Sequence, residues 1–142
     1  MNDTDKISEL VRKHPAGRAV GFRPCAFYDD RLDCIRVVAR DCSMVEERLN
    51  DRITVLVDSY HPRGDEAGDF EYVGFTIKGA RHFCRQHGFS TRTIKMTSLL
   101  DALLKEYPEL VVRMFVQLVA RPIIEEKNID QVDIREAAME PA

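Results

Sequence analysis

Between Tyr72 and Leu100 the chain carries Lys78, Arg81, Arg85, Arg92 and Lys95, with His82 and His87, and no Asp or Glu. The whole protein has a formal net charge of -3, so its bases are concentrated locally and its acids lie elsewhere. Clustered cations repel one another and are better tolerated beside an anion or an acidic surface. These five residues are therefore the candidate anion- or partner-binding set. Lys78 and Gly79 end a strand and lead into a helix, where free N–H groups could receive a phosphate or carboxylate. Lys-Gly-Ala-Arg lacks the glycine spacing and the Ser/Thr of a phosphate loop. The same bases also fit an ordinary solvated face, or pairing with acids on either side.

Other residues invite chemistry and meet a plainer explanation. On a helix His82 and Cys84 point about 200° apart, so they form no common ligand face. Cys84 and His87 share a face, but it is the core face, and two ligands are too few for a structural zinc. A Cys–His catalytic pair would need a third orienting group and access to solvent. Asp29, Asp30, Asp33 and Asp41 cluster around one strand end, where hydrolytic metal sites use such groups and turns use them too. Cys25, Cys34, Cys42 and Cys84 contain no C-x-x-C pair. The chain has no Gly-x-Ser-x-Gly, His-Glu-x-x-His or dinucleotide fingerprint. No catalytic residue, metal ligand or cofactor is assigned.

The elements that must hold these residues follow from periodicity. Ile7, Leu10, Val11 and His14 predict an amphipathic helix over 3–14. Pro24 makes Phe22 to Tyr28 an edge strand or extended entry. Leu32 to Arg40 reads as a strand, with Ile35, Val37 and Ala39 on its apolar face. Asp41 to Asp51 reads as a connection. Arg52 to Tyr60 and Glu71 to Lys78 form a hairpin around a polar tip, His61 to Phe70. Ala80 to His87 is a short helix closed by Gly88, and Ser90 to Met96 is ambiguous between strand and loop. Ser98-x-x-Asp101 resembles a capping box opening a helix to Tyr107, and Pro108 marks a helix restart.

The next helix, Glu109 to about Ile124, is apolar around most of its circumference, with Arg113, Gln117 and Arg121 as a narrow polar stripe. Such a helix wants burial on nearly all sides. Val112, Phe115, Val116 and Val119 are the candidate interface, with a central core helix as the equal alternative. Pro122 should kink or end the helix. The expected organisation is one domain, with an N-terminal helix at 3–14, a sheet at 22–78, a helical part at 80–127 and a loose tail at 128–142 holding one packed turn at Val132 and Ile134. The fold class is α+β, a small antiparallel meander of three to four strands against helices, with a C-terminal helical hairpin.

A resemblance spans Tyr28 to Ala80. Tyr28-Asp29, then Asp33-Cys34-Ile35, Ser43-x-x-Glu46, Ile53 to Asp58 and Val73-Gly74-Phe75-x-Ile77-Lys78-Gly79-Ala80 resemble a family of small β-rich bacterial domains of uncharacterised function. The resemblance implies a compact β-rich unit and supplies no catalytic residues.

At 142 residues, 44% hydrophobic and 32% charged, the chain has material for one globular core. No run is long enough to span a membrane, and the charged N-terminus lacks a signal-peptide h-region, which favours the cytoplasm. The function expected is a non-catalytic accessory or regulatory protein, acting by self-association or by binding a larger protein, with a local basic surface for an anionic partner. The alternatives are a small hydrolase or nucleotide-handling enzyme using Lys78 to His87, and a nucleic-acid-binding accessory protein.

Overall fold

A computed structural model describes residues 22–59, 71–89 and 92–134. The helix expected over 3–14, the hairpin tip at 61–70 and the end of the tail beyond 134 lie outside the described residues. The described chain forms β1 (Cys25–Asp29), β2 (Cys34–Val38), β3 (Met44–Arg48), β4 (Ile53–Asp58), β5 (Tyr72–Lys78), α1 (Ala80–Gln86), β6 (Thr93–Lys95), α2 (Met96–Glu106), α3 (Leu110–Phe115), a π-helical turn (Val116–Ala120), α4 (Arg121–Lys127) and β7 (Gln131–Asp133). From α3 to α4 the helix is continuous.

The strands build one seven-stranded mixed sheet in the order β3-β4-β5-β2-β1-β7-β6. The fold is α+β, but the expected meander of three to four strands is incorrect. Three further strands arise where periodicity is weak. β3 is an edge strand, and its sequence Met-Val-Glu-Glu-Arg carries the charges that protect edges from wrong pairing. β6 and β7 have three residues each, too few to show alternation. The segment after Lys127 places β7 beside β1, parallel through Phe27 and Asp133, and buries Ile129, Val132 and Ile134. β2 pairs with β5 instead of continuing into β3. β1 is thereby interior rather than an edge strand; Pro24 precedes it, so no ladder donor is lost.

Alternation along the strands separates two faces. Ile35, Val37, Ile53, Val55, Val57, Phe75 and Ile77 join the helices in the main core, with Phe83, Leu99, Leu103, Val112, Phe115 and Val116. Val38, Leu56 and Val73 form a smaller cluster with Phe22, Cys42 and Met44. Gly74 lies opposite Leu56 in the regular ladder, and a bulge after that pair sets Val57 opposite Tyr72. A β-carbon at Gly74 would lie 2.0 Å from the Val37 carbonyl oxygen, so the strand tolerates only glycine there. The buried Thr54 and Thr76 hydroxyls satisfy each other by a hydrogen bond.

Two helix boundaries differ from expectation for local reasons. α2 begins at Met96, directly after β6, and the Met96 N–H donates to the Asp130 carbonyl at 2.9 Å. Ser98 and Asp101 therefore lie inside the helix and form no capping box. Pro122 neither ends nor breaks the long helix. A proline has no N–H for the carbonyl four residues back and crowds it. The chain widens into a π-turn just before it, with the Arg121 N–H donating to the Val116 carbonyl.

Candidate functional site

The basic stretch does not stay acid-free in space. Gly79, at φ 66°, turns the chain from β5 into α1. The N-terminus of α1 then meets Asp33, which the β1–β2 turn delivers from far away in sequence. The Ala80 N–H donates to the Asp33 carbonyl at 3.1 Å, and the Arg81 N–H to Asp33 Oδ1 at 2.9 Å. The Tyr28 hydroxyl donates to the same carboxylate oxygen at 2.8 Å. The carboxylate that a helix start attracts is thus the protein's own. Burial, then this hydrogen bond, pushes the Tyr28 hydroxyl up to about 12.

The five candidate bases are also not one patch. Lys78 ends β5 and Arg92 precedes β6, and the strand order sets those strands four positions apart, about 19 Å at normal strand spacing. Arg92 instead shares an open cavity of about 660 Å³ with Asp29, Asp30, Arg31 and Asp133. Lys78, Arg85, Arg92 and Lys95 are exposed, and Arg81 is half-buried.

The Cys84–His87 region is sealed. Cys84 is 0% exposed, and burial pushes its thiol up to about 12, away from the thiolate that nucleophilic chemistry requires. The His87 ring packs 4.6 Å from Phe83, with Nε2 3.3 Å from Glu106 Oε2. Gly88, at φ 74°, closes α1, with the Phe89 N–H donating to the Cys84 carbonyl. Of the aspartates, Asp29 holds its turn by accepting from the Arg31 N–H at 3.0 Å. Among the described residues no three His, Cys, Asp or Glu side chains come together as a metal site.

The long helix has two contrasting faces. Val112, Phe115 and Val116 are 0%, 3% and 1% exposed, and Val119 is partly buried. Phe115 sets its ring edge against Phe75 with centroids 5.1 Å apart. These four candidate interface residues thus pack in the protein's own core. The opposite face carries Leu110, Val111, Met114 and Leu118, exposed by 63%, 45%, 50% and 65%. They are four of the eight large apolar side chains that are exposed among the described residues, so one helix holds half of them. Leu110, Met114 and Leu118 repeat every four residues and form a continuous strip. Exposed Arg113, Gln117 and Arg121 also recur every four residues along the same helix. Near Leu118 the strip runs into a groove of about 310 Å³ lined by Tyr72, Val119 and Pro122.

The sequence contained the signal that separates these faces. Positions 112, 115, 116, 119, 120 and 123 follow the i, i+3, i+4, i+7 pattern that lies against a sheet, which leaves 110, 111, 114 and 118 outside. No family model, curated protein or solved structure matches the chain. No helix among the described residues is long and apolar enough to cross a membrane.

Proposed function

We propose that this protein is a non-catalytic, cytoplasmic accessory or regulatory protein that works by binding another protein chain through the outer face of its long helix. The observation that carries this reading is the strip Leu110, Val111, Met114 and Leu118, each 45% exposed or more on one side of one helix. Contiguous exposed apolar surface bordered by polar residues is characteristic of protein-binding sites. The buried Cys84 thiol supports a non-catalytic reading of the Lys78 to His87 region. The anionic contact falls to Lys78, exposed at the end of β5, since Asp33 already occupies the start of α1.

The test is the double variant Leu110→Glu, Leu118→Glu, compared with wild type for thermal unfolding and for association with protein chains, its own and those co-expressed with it. The variant should fold with an unchanged midpoint and lose association. Equal association by variant and wild type in every assay would remove the reading.

A further inference from the structure

We infer that the chain seated on this face is an acidic amphipathic helix of a different protein, with apolar side chains on Leu110, Met114 and Leu118 and carboxylates on Arg113 and Arg121. The inference rests on the protein-docking reading above and adds the chemistry of the partner. Arg113, Gln117 and Arg121 follow Leu110, Met114 and Leu118 by three residues each, and positions three apart are neighbours on a helix surface. An exposed apolar strip and an exposed cationic stripe thus run side by side. The π-turn at Val116–Ala120 falls between the two arginines, and both still line one groove of about 380 Å³, with Gln117, Leu104 and Val116. No acid among the described residues lines that groove.

Neither arginine is neutralised from within. Among the described residues Arg113 and Arg121 form no ion pair, not even with Glu109 and Glu125 one turn away. The start of α1 differs, because Asp33 already meets it. An unpaired cationic stripe selects an acidic partner by charge complementarity. It disfavours a second copy, which would set like charges together. A small anion would leave the leucine strip in water. A flat anionic lipid surface would also meet Glu109 and Glu125, which are exposed on the same helix. A helix laid along the strip satisfies both features, since such a helix is held through apolar anchors at i, i+3, i+4 and i+7. Arg113 and Arg121 are eight residues apart, which is roughly 12 Å along a helix axis. They call for two carboxylates about two turns apart on the partner helix.

The test is selection of a displayed library of random peptides, each of about sixteen residues and so about four helical turns, on the immobilised full chain. Peptides enriched on wild type should be acidic and carry apolar residues at helical spacing. Their binding should be lost with Leu118→Glu and fall about tenfold with the double variant Arg113→Gln, Arg121→Gln, as two exposed ion pairs are removed. Binding to wild type should weaken as salt rises. Selection on Arg113→Glu, Arg121→Glu should return basic peptides in place of acidic ones, which loss of the fold could not produce. Neutral or basic peptides enriched on wild type, or acidic ones indifferent to the arginines and to salt, would overturn the inference. If such peptides still needed Leu118, only the acidic partner would fall and the docking reading would stand. If no enriched peptide needed Leu118, both would fall. Binding of phosphatidylserine-containing vesicles that needs Leu118 and the two arginines, with no peptide enriched, would also overturn the inference and make the face a lipid contact.

Discussion

The sheet end around α1 and the outer face of the long helix both draw attention in the sequence, one by charge and one by apolar content, and they end up in opposite conditions. At the sheet end, strand pairing brings Asp33 to the start of α1 and sets Asp29, Asp30 and Asp133 beside Arg92. Acids remote in sequence thus reach the Arg81 backbone and the surroundings of Arg92. On the long helix, the sheet takes up Val112, Phe115 and Val116, and one flat layer can cover only one side of a cylinder. Leu110, Met114 and Leu118 are left without cover among the described residues. Topology brings remote acids to the basic stretch, whereas the single described sheet leaves the far side of the helix uncovered among the described residues.

The sharpest way to break this contrast is to truncate one residue on each side of the helix. Phe115→Ala should cost about 3–5 kcal/mol of stability, because it leaves a cavity against Phe75. Leu118→Ala should stay within about 0.5 kcal/mol of wild type, as a surface change does. Urea denaturation of both variants measures the difference. Equal losses would mean that the outer face is covered within the chain.

A smaller effect is expected at the sheet end. Asp33→Ala removes the acceptor for the Arg81 N–H and for the Tyr28 hydroxyl. Loss of such a cap costs about 0.5–2 kcal/mol, which thermal unfolding can resolve. No loss would show that Asp33 does not hold α1, and that the helix start is open to an external anion after all.

The smallest effect is an alkaline one. The Tyr28 hydroxyl is raised from 10 to about 12, chiefly by burial and then by Asp33. The fold therefore favours its protonated form. The stability linked to it is fully present below pH 10 and is lost as pH rises from 10 to about 12. Tyr28→Phe should flatten that part of the stability profile. Ultraviolet titration of the folded protein should show one tyrosine fewer ionising late. An unchanged profile would place Tyr28 in contact with water rather than with Asp33.

How much could be read in the sequence depended on the length of each element. β2, β4 and β5 were legible because five to seven residues suffice to show alternation. The hairpin pairing of β4 with β5 and the turns at Gly79 and Gly88 were legible for the same local reasons. β3 was not, because an edge strand's charges disguise it as a connection, and β6 and β7 were not, because three residues carry no period. The pairing of β2 with β5 is a long-range choice without a local signature. At the candidate site, the helix and its excess of apolar surface were legible. Periodicity leaves Val112, Phe115, Val116 and Val119 equally open to interface and to core, and the sheet takes them into the core.

The most direct test of the central claim is multi-angle light scattering on wild type, Leu118→Glu and Arg81→Glu, Arg85→Glu over a concentration series at low and high salt. The account predicts that wild type and the arginine variant move together to a mass above one chain, alone or with a co-expressed partner, while Leu118→Glu stays at one chain throughout. Association that survives Leu118→Glu but disappears with the two arginines would contradict it, and would place the working surface at the basic sheet end instead.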